Sequence, residues 1–109
     1  MIAVSTLHEL SQRQNQLVWL ETNWPIALFM VGGQVYAVDA HCTHQEAWLH
    51  EGDVNADTCE VSCPLHQARF NLQTGKATHG PAAAPLMVYP TQVDSAGTIY
   101  IEPITPWWR

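Results

Sequence analysis

Apolar and polar positions alternate with a period of two along most of this chain, which is the pattern of strands that bury one face. Read this way, strands are expected at 17–21, 26–31, 34–38, 58–62, 68–72, 86–89 and 98–102. The segments are short, closely spaced and bounded by Gly, Pro, Asn and Asp. Gly32-Gly33 separates two of them and suits a two-residue hairpin turn, because glycine adopts a positive φ at little steric cost. Only Thr6-Leu7-His8-Glu9 reads as helical, as a capping box that opens a single short turn ending before Gln12. The pattern predicts an all-β chain built from antiparallel strands.

The alternation is not uniform. Residues 1–39 and 86–109 carry the strongest strands, whereas 40–85 holds Gly52, Gly75, Gly80, Pro81 and Pro85 between weaker ones. A mostly looped insertion buries too little apolar area to hold its own shape, so a further constraint is expected there, such as a metal centre bonded from two of its loops. At 109 residues the chain is expected to be one domain, 1–109, with a basal part (1–39 and 86–109) and a subdomain at 40–85.

Charge narrows the partners. Four basic residues against ten acidic ones give a formal net charge of −6 with no Lys/Arg cluster, which argues against nucleic acid and against an anionic membrane. Five of the acids, Glu46, Glu51, Asp53, Asp57 and Glu60, fall in one stretch. They form either a plain solvated face or an acidic rim that steers basic partners and makes association rates fall with salt. No apolar run of membrane-spanning length and no signal-peptide pattern is seen, so a cytoplasmic protein is expected.

Three cysteines cannot be fully paired in disulfides, which favours a reducing compartment. Cys59, in Thr58-Cys59-Glu60-Val61, is expected to share a strand face with Val61 as a buried structural thiol. The other two each stand beside a histidine, in Cys42-Thr43-His44 and Cys63-Pro64-Leu65-His66. Either pair alone is a weak signal, whereas two such pairs with turn chemistry around them form a ligand set. Two thiolates and two imidazoles fit a 2Fe-2S centre with one iron on each ligand type, and equally a tetrahedral zinc site in a structural module. Familiar zinc spacings bring two cysteines together and then two histidines, which is not the arrangement here.

The wider motif, Cys42-Thr43-His44-Gln45, Cys63-Pro64-Leu65-His66-Gln67-Ala68-Arg69-Phe70-Asn71 and Thr74-Gly75-Lys76, closely resembles the Rieske-type ferredoxins that serve bacterial aromatic-ring dioxygenases. The likeness extends from Ile26-Ala27-Leu28-Phe29 through Tyr36-Ala37-Val38 to Leu86-Met87-Val88-Tyr89-Pro90. The resemblance implies a Rieske fold of antiparallel basal sheets with a small cluster-binding subdomain. It also implies one 2Fe-2S cluster, with Cys42 and Cys63 on the inner iron and His44 and His66 on the outer one. Neutral imidazoles donate less charge than thiolates, so the outer iron is expected to take the electron.

Respiratory Rieske proteins carry a disulfide between these loops and hydroxyl donors to the sulfurs; the matching positions here read Ala47, Leu65, Ala68 and Phe70. Losing those donors removes stabilisation of the reduced cluster, so a potential toward the low end of the Rieske range is expected. Gln67-Ala68 stands where a glycine is common, and the segment between the pairs is longer than usual, so the docking surface is expected to differ.

By the same resemblance Pro81-Ala82-Ala83-Ala84-Pro85 would cover the cluster; by composition alone it is a stiff connector. Trp48 and Leu49 suit either an apolar collar on a docking face or a packed anchor, and His41, His50, His8 and His79 are expected to be solvated or hydrogen-bonded rather than ligands. Trp107-Trp108-Arg109 fits a subunit contact or back-packing. No general acid–base constellation is seen, so the chain is not expected to be catalytic alone. The expected function is a carrier taking single electrons from an NAD(P)H-dependent flavin-containing or iron–sulfur reductase to a terminal oxygenase. The small subunit of an assimilatory nitrite reductase and a zinc-bound interaction module are the alternatives.

Overall fold

The computed structural model describes residues 1–21, 23–41, 47–64, 68–79 and 85–104. In chain order the elements are β1 (Ile2–Thr6), α1 (Leu7–Arg13), β2 (Asn15–Trp19), β3 (Pro25–Val31), β4 (Gln34–Asp39), a 3-10 turn (Leu49–Glu51), β5 (Val54–Asn55), β6 (Glu60–Ser62), β7 (Arg69–Asn71), β8 (Ala77–His79), β9 (Val88–Tyr89), β10 (Thr91–Val93) and β11 (Thr98–Ile101). They make three antiparallel sheets, in the orders β1-β11-β10, β2-β3-β4-β9 and β5-β6-β7-β8. The all-β antiparallel class expected from the alternation is the one observed.

The central sheet explains the stacking. Along β3, Ala27, Phe29 and Val31 join one apolar cluster while Ile26 and Leu28 join another. A strand buried on both faces reads as a continuous apolar run, as Ile26-Ala27-Leu28-Phe29 does. One face meets Ile99 and Ile101 of β11 and Leu10 of α1, and the opposite face meets Val61 and Phe70 of the third sheet and Cys63 just after β6. The sheet that carries the second Cys/His segment is thus held by side chains of β3 and β4.

Local signals set the connections. Gly32 and Gly33 have φ of +58° and +80°, and Val31 pairs with Gln34 across them, the geometry in which the turn twist matches the strand twist. Thr6 Oγ1 accepts from the Glu9 amide at 3.1 Å, so the capping box does open α1, which continues to Arg13, beyond the expected stop. Burial of Leu10 in the basal core supplies what local propensity lacks.

Several expectations shift. Strand 17–21 is observed at Asn15–Trp19, and 58–62 shrinks to Glu60–Ser62. Asn55 Oδ1 accepts from the amides of Asp57 at 2.9 Å and Thr58 at 3.3 Å, which folds Thr58 and Cys59 into the turn. Cys59 therefore has φ of +56° and lies off the strand, half-buried against the same core as Val61 rather than beside it on one face. The insertion is also less looped than expected, since all four strands of the third sheet lie within 54–79. Strands of two or three residues are too short for a period to register.

The β10–β11 turn yields a pH prediction. Asp94 accepts from the amides of Thr98 at 2.9 Å and Ala96 at 3.0 Å and from the Tyr100 hydroxyl at 3.2 Å. These donors, the Thr98 amide foremost, hold its carboxyl below the ordinary value of 3.8, and the resulting charge raises the Tyr100 hydroxyl. A depressed carboxyl stabilises the fold above the unfolded pKa, and that contribution is lost as pH falls through the folded value. Asp94→Ala is expected to lower the melting temperature at neutral pH and to narrow the gap from wild type below about pH 4, read from thermal melts across an acid series.

Candidate metal centre

Both Cys/His segments lie at the ends of antiparallel ladders. In the first, His41 bridges to Trp48, and the Leu49 amide donates to the Ala40 carbonyl at 2.7 Å, closing the segment between them. In the second, Ser62 pairs with Arg69 in the β6–β7 hairpin, and the Cys63 amide donates to the Ala68 carbonyl at 2.8 Å. Each loop therefore starts and ends on a fixed backbone pair.

The two stems sit on one core. Ala40, Ala47 and Leu49 of the first and Cys63 and Ala68 of the second belong to the same apolar cluster as Phe29, Val38 and Phe70. Gly52 sets how closely the stems approach: a Cβ there would lie 1.9 Å from the Ser62 carbonyl oxygen, one residue before Cys63. The Ser62 amide donates to Asp53 at 2.8 Å, and Asn15 Nδ2 donates to the carbonyls of His50 at 3.2 Å and Gly52 at 3.4 Å, tying the 3-10 turn to the basal strand β2.

A buried hydrogen-bonded group fixes the chain's approach to the first stem. Asp39, 5% exposed, accepts from the Tyr89 hydroxyl at 2.7 Å and from the Met87 amide at 3.1 Å, and Trp24 Nε1 donates to the same Tyr89 oxygen at 3.1 Å. The Asp39 amide donates back to the Met87 carbonyl, so β4 and the 85–89 segment are locked together just before His41. Asp39 and Asn15 were not singled out from the sequence, and Gly52 was read only as a mark of loop structure. The only available signal was a polar Asp ending an otherwise apolar strand.

Of the four expected ligands, Cys63 is described, 3% exposed at the second stem. Cys42, His44 and His66 lie outside the described residues, as do 81–84 of the proline segment and Trp107-Trp108-Arg109. Leu49 is fully buried and so is no docking collar, whereas Trp48 is half-buried with one side on the core. His41, His8 and His79 are exposed, and His50 is half-buried. Glu51, Asp53 and Asp57 are exposed and Glu60 half-buried, while Glu46 lies outside the described residues.

Among the described residues no three His, Cys, Asp or Glu side chains come together to hold a metal. The segments that the two stems close, 42–46 and 65–67, lie outside the described residues. A thiol in an apolar bed, with a second thiol and two imidazoles available from those segments, fits an iron–sulfur cluster of mixed ligation.

Three antiparallel sheets, with two backbone-closed loop stems seated on one core, define a small all-β protein. Residues 1–90 match the Rieske [2Fe-2S] domain. The chain is 43% identical over 89 residues to the 3-phenylpropionate/cinnamic acid dioxygenase ferredoxin subunit of Escherichia coli (strain K12), covering 82% of each chain. Its structure is similar to the ferredoxin of carbazole 1,9a-dioxygenase from Nocardioides aromaticivorans IC177, with a TM-score of 0.83, 31% identity and coverage of 94% of this chain and 97% of that one. It is also similar to a chain from a complex of reduced oxygenase and oxidised ferredoxin in carbazole 1,9a-dioxygenase, with a TM-score of 0.82, 31% identity and coverage of 93% and 100%. This chain belongs to the Rieske [2Fe-2S] domain family. It is an electron carrier with one Rieske-type 2Fe-2S cluster rather than a catalytic subunit. Among the described residues no helix is long and apolar enough to cross a membrane.

Proposed function

We propose that this chain carries single electrons from an NAD(P)H-dependent reductase, flavin-containing or iron–sulfur, to a terminal oxygenase in the cytoplasm, with Cys42 and Cys63 holding one iron and His44 and His66 the other. The observation that carries the ligand assignment is the seating of both loop stems on one apolar cluster, with Cys63 buried in it. The bound cluster supplies one-electron chemistry, at a potential raised by the two neutral ligands. The protein supplies a fixed, water-poor mount. Ala47, Leu49 and Ala68 are buried in the same apolar cluster as the Cys63 thiol, and backbone pairs at 41/48 and 63/68 close the two stems. Ala47, Ala68 and Phe70 are buried and carry no hydroxyl, which supports a low potential for the family and a donor fed by NAD(P)H.

Under this reading the chain acts as one domain, 1–109, whose basal part (1–39 and 86–109) positions the subdomain at 40–85. The resemblance to dioxygenase ferredoxin subunits favours the oxygenase over a nitrite reductase as the acceptor.

The test is a reconstituted assay with an NADH-dependent ferredoxin reductase. The protein is expected to take up one electron per chain, and the rate is expected to fall as salt screens the exposed Glu51, Asp53 and Asp57. Uptake of no electron from any reductant would overturn the carrier reading.

A further inference from the structure

Beside the first stem lies a run of partly exposed rings. Trp19, at the end of edge strand β2, is 50% exposed, and its ring meets that of Trp48 edge-on at 6.2 Å. Trp48 in turn lies 4.3 Å from the ring of exposed His41, its backbone partner, and 6.0 Å from His50. A tryptophan left half-exposed forgoes much of the burial such a side chain offers, and exposed tryptophan faces are enriched where proteins bind one another. His41 directly precedes Cys42 in the chain, so this ledge lies at the described end of the first stem.

The charge of the chain indicates what fits there. Net charge is −6, and exposed Glu51 and Asp53 follow His50 directly. A cation brought over an indole face of a chain with this net negative charge is favoured twice, by the ring quadrupole and by the field. Of the described cations, Arg13 is paired with Glu9 on α1, while Arg69 and Lys76 stand on the third sheet and its connection.

We propose that Trp19, Trp48 and His41 form a docking ledge for a lysine- or arginine-bearing face of the electron-accepting protein, with Trp19 as the dominant contact. The inference rests on the carrier reading and adds where, and with what chemistry, the acceptor sits. One electron passes from the reduced protein to the acceptor, and no bond is made or broken.

Ferric cytochrome c, a basic one-electron acceptor, is the probe. Its reduction by the pre-reduced protein is followed by stopped flow at low salt, and its binding to the oxidised protein by calorimetry. Trp19→Ala is expected to lower both the second-order rate and the affinity about tenfold, the effect of truncating an interfacial tryptophan. Trp19→Phe should recover most of the loss, and Val93→Ala, an exposed apolar change on another sheet, should change neither. The melting temperature and reduction potential of Trp19→Ala should match wild type. Equal rates and affinities for Trp19→Ala and wild type, with wild type still reducing cytochrome c, would overturn the ledge and leave the carrier standing. Failure of wild type to transfer any electron would count against the carrier itself. A wild-type dimer that Trp19→Ala converts to monomer, with unchanged rates, would assign the ledge to self-association instead.

Discussion

His66→Ala is expected to remove the visible absorption of the protein altogether and to release residues 40–85 from their fixed arrangement, while the basal strands stay paired. The first half follows from the ligand assignment: without the His66 imidazole, one of the four side chains that would hold the cluster is missing. The second half follows from how the cores divide. Ile26, Leu28, Ile99, Ile101 and Leu10 form an apolar cluster with no member in 40–85, so β1, β2, β3, β4 and β11 keep their burial without the cluster. The third sheet has strands of only two or three residues and leans on the opposite face of β3 and β4. Hydrogen exchange should therefore show protection lost in β5–β8 and kept in β3. His66→Cys is the companion: it should keep a coloured protein but lower the reduction potential, because a charged thiolate replaces a neutral ring. An unchanged visible spectrum in His66→Ala would show that His66 is not a ligand.

Gly52→Ala is expected to be strongly damaging for a single-methyl change. The added Cβ would fall 1.9 Å from the Ser62 carbonyl oxygen, a backbone atom that cannot rotate away, and 3.3 Å from the Leu49 carbonyl oxygen. Relief requires the 3-10 turn to move off β6, which breaks the Asn15 contacts and pulls the two loop stems apart. A cost of about 2–4 kcal/mol is expected from overpacking against backbone. Chemical denaturation measures the stability loss. Faster bleaching of the visible spectrum at moderate temperature would show that the gap between stems is what the glycine protects. Gly33→Ala is the comparison. No neighbour lies within 4 Å of its Cβ, so it should show only the cost of a positive φ.

How much of this was readable in advance depends on the reach of each interaction. The β3–β4 hairpin was legible because Gly32-Gly33 and the flanking apolar run are local signals. Thr6 and Glu9 marked the helix start for the same reason, but its end at Arg13 depends on Leu10 packing against strands far along the chain. β1 and β10 were missed since their pairing partner, β11, supplies the reason for them to be extended. Trp48-Leu49 was read as one unit, and the structure splits it. Leu49 turns into the core, while Trp48 lies across its edge against Trp19, a residue whose exposure no local pattern reports. The ligand set stood out because two Cys/His pairs are chemistry written directly in residue type. The mount beneath it, from Asn15, Asp39 and Gly52, consists of contacts between distant segments, and those become visible only once the sheets are assembled.

The proposed carrier function requires a redox-active cluster held by Cys42, His44, Cys63 and His66. Low-temperature EPR of the dithionite-reduced protein, with iron, zinc and acid-labile sulfide assayed on the same sample, tests it most directly. The expected result is a red-brown protein with about two irons and two sulfides per chain and a rhombic one-electron signal that appears on reduction. A colourless protein holding a single zinc, silent before and after dithionite, would contradict it.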